Sequence, residues 1–156
     1  MPSFPLTGSR PMPKRLLLLL PLFLAACGEV EDTRPGQPVA HRRAAFQQIL
    51  KAFEPMGMML REKRYDPEAF LALTTRLDGA RNGPWEYFLP DTDYPPTKAT
   101  ARVWSEGEKF QAEREKFLAA VAALKEAAGT RQAARVAAAY EELHDSCRSC
   151  HKQFKK

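Results

Sequence analysis

Cys147-Arg148-Ser149-Cys150-His151 lies near the C-terminal end of a 156-residue chain and decides how the rest is read. Two thiols three positions apart, followed at once by an imidazole, have the spacing of a c-type haem attachment site. On a helix, residues i and i+3 share a face. Both thiols can then reach the vinyl groups along one edge of a haem, and His151, four residues after Cys147, can turn a ring nitrogen towards the iron. Three other readings compete. A thioredoxin-like pair opens a helix after a strand, whereas this one stands near the end of a helical pattern with no strand before it. A zinc site could draw on His144, Cys147, Cys150 and His151, but four donors from two turns of one helix enclose a tetrahedral ion poorly. The last is a pair of structural thiols with no cofactor.

Of thirteen prolines, five fall in residues 1–21 and two more in 35–38. The remainder is rich in Ala, Leu, Phe, Lys, Arg and Glu, a helical composition for one domain. The formal charge of +5 is misleading in the same way, because residues 1–27 contain three cations and no acid. Residues 28–156 hold 21 cationic and 19 anionic side chains, a net +2 that two haem propionates would bring close to zero. The basic balance gives no case for nucleic acid.

Lys14-Arg15 precede an apolar run, Leu16 to Ala26, that is too short to be a permanent membrane span. Leu24-Ala25-Ala26-Cys27 resembles the lipobox of bacterial lipoproteins, which implies cleavage before Cys27 and a lipid on its thiol. An ordinary secretory signal with an unmodified Cys27 is the alternative. Gly28, in place of an aspartate, leans towards the outer membrane, and Met12-Pro13-Lys14-Arg15 offers a second start. The expected division is a signal peptide over 1–27, a flexible tether over 28–38 and a folded domain over 39–156. The protein is expected to face the periplasm and to touch the membrane through lipid only.

Four helices are predicted. The first runs from about Val39 to Lys63, with Phe46, Ile49, Phe53, Met56 and Leu60 on one stripe and a kink at Pro55. Asp66-Pro67-Glu68 starts the second as N-cap, first helical residue and dipole partner. It carries Phe70, Leu73, Thr74 and Leu77 inward and stops near Asn82-Gly83-Pro84. Residues 83–98 form a long connection with four prolines. The third helix starts near Ala99 and places Val103, Gly107, Phe110, Arg114, Phe117, Val121, Leu124 and Ala128 on a stripe. There Arg114 lays its stem along the bundle with its charge in solvent, or else meets a propionate. After Gly129-Thr130 the fourth presents Val136, Tyr140, Leu143, Cys147, Cys150, His151 and Phe154. Met56, Met58 and Met59 are read as core filling, with an axial ligand among them as the alternative. With no strand-period segment, the fold class is all-α: an antiparallel four-helix bundle with haem attached near the C-terminal end of the last helix.

Residues from about 38 to 156 resemble the cytochrome c′ family, the class II cytochromes c. Arg42, Pro84-Trp85 with Phe88, Val103-Trp104-Ser105 with Phe110, and the C-terminal CRSCH carry the likeness. The resemblance implies one covalent haem c on Cys147 and Cys150, His151 as the proximal iron ligand, and Arg42 and Arg43 near the propionates. A solvated face is the alternative for the two arginines. It also implies that Phe46, four residues after Arg42, stands where low-spin members carry a ligating methionine. Phenylalanine has no lone pair for iron, so a five-coordinate, high-spin iron under an apolar lid is expected. Lys155 stands where members often have arginine, which leaves its part on the proximal face open. Pairing of two chains through the first two helices is implied by analogy only.

These features point to a periplasm-facing haem protein that binds a diatomic gas, nitric oxide foremost, or transfers electrons to an unidentified redox partner. The alternatives are a low-spin electron carrier with a methionine ligand and a thiol- or zinc-binding lipoprotein without haem. No nucleophile–base or paired-carboxylate constellation stands out, so an enzyme is not expected.

Overall fold

The computed structural model describes residues 31–156; the expected signal peptide, Cys27 and Met12 lie outside them. Four long helices form the bundle: α1 (Pro38–Arg61), α2 (Pro67–Ala80), α4 (Gly107–Gly129) and α5 (Ala133–Phe154). A short α3 (Arg102–Ser105) precedes α4, and one 3₁₀ turn (Trp85–Tyr87) lies in the long connection. The start of α2 is as the sequence predicts. Asp66 accepts from the amides of Glu68 and Ala69 at 3.0 Å, and Pro67 opens the helix, satisfying two of the amides that a helix leaves unpaired. Helix α1 runs through Pro55 without ending.

Two elements differ from the sequence prediction. Residues 31–38 are not a free tether: Asp32 is buried and caps α1 from a distance. Its Oδ2 accepts from Val39 N at 2.8 Å and Ala40 N at 3.1 Å, while Oδ1 accepts from Tyr94 Oη at 3.0 Å. Gly36 and Gln37, both at positive φ, turn the chain back so that Asp32 can reach those amides. The predicted third helix starts later than Ala99 and is broken. Ala99 pairs in an isolated bridge with Lys155, and Thr100 N donates to Phe154 O at 2.9 Å, so this backbone serves the C-terminus instead of a helix. The chain then leaves helical geometry at Glu106 (φ −121°, ψ 45°) before α4 begins.

The core is one cluster that includes Met56, Phe70, Leu77, Val121, Leu124, Val136 and Leu143, all fully buried. Helix α4 packs along α5, and α2 packs against both α1 and α4. Helices α1 and α5 meet around Tyr140. There Gly57 admits Tyr140: a Cβ on Gly57 would stand 2.2 Å from Tyr140 Oη. One turn earlier on α1, Phe53 stacks on the Tyr140 ring with centroids 4.6 Å apart. Towards Phe46 and Cys150 the two helices face each other across open space.

Gly57→Ala is expected to destabilise the protein by about 1–3 kcal/mol, the usual cost of overpacking, and to do less harm in a Tyr140→Phe background. Urea unfolding of the double-mutant cycle checks this; additive effects would mean that the two residues do not bear on each other.

Candidate haem site

The space between α1 and α5 is a cavity of about 540 Å3, within the usual range for cofactor sites. Helix α5 supplies Cys147, Cys150 and His151 to one wall, and α1 supplies Phe46, Ile49, Leu50 and Phe53. Trp85, Phe88, Phe110, Phe117 and Phe154 close the inner end. These rings brace one another: Phe46 meets Trp85 edge-on at 5.6 Å, Phe88 lies 4.8 Å from Phe110, and Phe110 lies 5.3 Å from Phe154.

The pattern of α5 explains how one stripe serves both core and cavity. Val136, Tyr140 and Leu143 are buried, Cys147 and Cys150 are half-buried, and His151 is exposed. The same face therefore leaves the core and becomes a wall. Both cysteines are free. Burial raises the Cys147 thiol above its ordinary value, and burial with the charges of Glu113 and Cys147 pushes Cys150 to about 11. Among the described residues no three His, Cys, Asp or Glu side chains converge as metal ligands, so the zinc alternative has no supporting geometry.

Among the described residues no methionine lines the cavity. Met56 is buried in the core, Met58 is 47% exposed, and the Met59 sulfur accepts from Asp66 N at 3.3 Å. Arg114 is also elsewhere, with its guanidinium 5.6 Å from the Trp85 ring centroid and Nη1 donating to Gln111.

Residues 37–155 match the family described as cytochrome c′. The chain belongs to the cytochrome c′ family. A cytochrome c′ from Rubrivivax gelatinosus is 32% identical over 124 residues, covering 78% of this chain and 96% of that protein. Its crystal structure superposes with a TM-score of 0.74 at 30% identity, covering 81% of this chain and all of that one. A cytochrome c′ from Cereibacter sphaeroides is 32% identical over 146 residues, covering 90% of this chain and 97% of that protein. A ferrous variant of the Alcaligenes xylosoxidans cytochrome c′ with nitric oxide bound matches with a TM-score of 0.74 at 25% identity, covering 81% of this chain and 98% of that one.

The cofactor of a cytochrome c′ is covalently attached haem c, and such a protein is a haem protein rather than an enzyme. The donor set here fits that group. Two thiols at i and i+3 and an imidazole at i+4 stand on one wall of a cavity lined mainly by apolar and aromatic side chains.

Arg42 and Arg43 both line the cavity, but they are held differently. Arg42 is 3% exposed, which removes the solvated-face alternative for it, whereas Arg43 is half-buried. The Arg42 guanidinium is engaged by the long connection. Nη1 donates to Tyr87 O at 2.9 Å and Thr92 Oγ1 at 3.1 Å. Nη2 donates to Thr92 O at 3.0 Å and Thr97 Oγ1 at 2.7 Å. Its plane lies 4.5 Å from the Phe88 ring centroid. A buried cation is costly unless its donors are matched, and here the loop matches them.

Sequence reasoning missed Glu113. It is 4% exposed on the cavity wall, and it stands three residues after Phe110 and four before Phe117. That spacing was the available signal. Oε1 accepts from Lys116 Nζ at 2.7 Å, whereas Oε2 is buried without a partner. Burial raises its pKa, but the hydrogen bond and charge of Lys116, with the polar groups of Ser149 and Gln153, outweigh burial and hold the carboxyl below its ordinary value.

Arg42→Lys keeps the charge and loses the planar fork. It is expected to cost about 2–4 kcal/mol, the scale of one or two hydrogen bonds to a charged group, measured by urea unfolding. Stability equal to the parent would mean that the loop does not depend on the fork.

Proposed function

We propose that this chain is a periplasmic gas-binding haem protein. In this reading Cys147 and Cys150 would hold the haem through two thioether bonds, His151 would ligate its iron, and Phe46 would line the gas site without offering a ligand. The observation that carries it is the composition of the wall facing His151. Phe46, Ile49, Leu50 and Phe53 offer no lone pair to iron, the polar residues Gln47 and Glu54 that α1 adds to the lining are exposed, and among the described residues no methionine lines the cavity. The bound haem supplies the iron on which a diatomic gas binds and a one-electron couple turns over.

The side chains of the chain decide which gas is favoured. Bound dioxygen is stabilised by a hydrogen-bond donor on the distal side, whereas nitric oxide binds ferrous haem without one. An apolar wall therefore discriminates by withholding a contact. The nitric oxide complex of the Alcaligenes relative is consistent with this preference. Arg42 and Arg43 bring positive charge to the cavity wall for the propionates. Arg42 does so with its donors on the loop, so its contribution is field more than direct hydrogen bonding. Electron transfer to a partner protein remains compatible with the site, although a five-coordinate iron is less suited to it than a six-coordinate one.

Acid–acetone extraction should leave the chromophore on the polypeptide, and Cys147→Ala or Cys150→Ala should weaken that attachment. The ferric spectrum should be high-spin, with nitric oxide and carbon monoxide binding the ferrous form. Phe46→Met should shift the iron towards a six-coordinate, low-spin state. A parent spectrum already showing His/Met ligation would overturn the five-coordinate reading.

The LAAC-Cys27 environment supports export with a lipid on Cys27 and the domain held at the membrane, the outer membrane favoured. Labelled palmitate should enter the parent protein and not Cys27→Ser; a soluble, unlabelled product in the native host would reject anchoring alone.

A further inference from the structure

Six polar or charged residues are buried among the described ones: Asp32, Arg42, Thr74, Thr92, Thr97 and Glu113. Five are accounted for. Asp32 caps α1, Thr92 and Thr97 accept from Arg42, and Thr74 Oγ1 donates to Leu71 O at 2.8 Å. Glu113 alone keeps an atom without a partner, its Oε2. It does so on the wall of the cavity, on the helix that packs most closely along α5. A buried carboxylate with an unmatched oxygen needs a reason for being there. A glutamine of the same shape would fit the position without burying a charge.

We propose that Glu113 is a potential-setting residue: its carboxylate, placed on the wall beside the Cys150 attachment point, holds the iron in favour of the oxidised state. This rests on the reading that haem is attached at Cys147 and Cys150. Reduction adds one electron from an external donor and lowers the charge of the iron centre by one. A fixed negative charge nearby stabilises the more positive, ferric form. Burial limits the screening of that charge by salt. Only one partially compensating cation, Lys116, is bonded to it, and the Lys116 side chain is 63% exposed and so largely hydrated. On α5 the groups facing Glu113 are Ser149, Cys150 and Gln153, none of them a cation. The other buried charge on the cavity wall is Arg42, whose terminal nitrogens are taken up by the loop rather than by Glu113.

The test is spectroelectrochemistry on the holoprotein with covalent haem verified for each variant. Glu113→Gln should raise the reduced-to-oxidised ratio at a fixed potential roughly tenfold, equivalent to about 59 mV for a one-electron couple. Glu113→Asp, which keeps the charge, should stay within about threefold of the parent. Lys116→Gln, a change at a side chain 63% exposed, should move the ratio the other way, towards the oxidised form. An unmoved ratio in Glu113→Gln, equal shifts in the Gln and Asp variants, or a shift of Lys116→Gln towards the reduced form would overturn the proposal. Covalent haem retained in a variant with an unmoved potential sinks this inference alone, whereas loss of all attachment in the parent protein sinks the reading beneath it.

Discussion

The contact of Gly57 with Tyr140 is the constraint on which the site depends. A four-helix bundle ordinarily closes along its whole length, because side chains from facing helices interdigitate at close to crystalline density. Here α1 and α5 close where a residue without a Cβ lets the Tyr140 hydroxyl in, and where Phe53 stacks on the same ring and on His144. Each helix is held along its length by a different neighbour, α1 by α2 and α5 by α4. The pair can therefore separate below that contact without the bundle losing its core. Met56, Leu77, Leu124 and Leu143 remain fully buried above a cavity large enough for a planar cofactor.

An open apolar space tends to collapse, and the long connection opposes this. Arg42 gathers Tyr87, Thr92 and Thr97 around one guanidinium, and that ordering offsets part of the conformational entropy lost when a proline-rich loop adopts one shape. With the loop in place, the Trp85 and Phe88 rings lie against Phe46, and the Trp104 indole donates to Leu89 O at 2.9 Å. Phe46 is thus a braced wall element rather than a free flap. At the other side of the cavity Lys156 N donates to Lys98 O at 2.9 Å, tying the end of α5 to the same connection. The mouth is framed by one continuous segment anchored at both ends.

Much of this was legible because it is periodic or local. The stripes of α1, α2 and α5 follow from apolar spacing, Asp66-Pro67-Glu68 announces the start of α2, and CRSCH announces both its own chemistry and its place on a helix. What was not legible depends on distant partners. Arg42 finds acceptors 45 to 55 residues later, so nothing local distinguishes it from a surface arginine. Ala99 is drawn out of a helical pattern by the backbone of Lys155. Asp32 caps α1 from seven residues before Val39, through a turn that places both Gly36 and Gln37 at positive φ. A capping rule written for adjacent residues does not reach that far.

The inward acid shows a further reason for such blindness. Apolar stripes are recognised by their members, so a charged residue in register is read as a gap in the stripe. Arg114 and Glu113 adjoin on α4, yet the structure sends them to different surroundings. Arg114 lies half-buried over Trp85 in a side cleft, its Nε unmatched but Nη1 donating to Gln111, while Glu113 turns to the cavity wall with one oxygen unmatched. The difference of one residue is about 100° of helical rotation, enough to separate a snorkelling side chain from a buried charge. Arg42 and Glu113 are then the two buried charges on the cavity wall, and they are satisfied to different degrees. The cation has each terminal nitrogen of its guanidinium hydrogen-bonded twice to the loop, so it is held by the protein itself. The anion has the exposed Lys116 on one oxygen and the polar groups of Ser149 and Gln153 nearby, while its other oxygen has no partner. A group so placed interacts most strongly with whatever charge is next brought into the cavity, and that asymmetry makes Glu113 an electrostatic part of the site rather than of the scaffold.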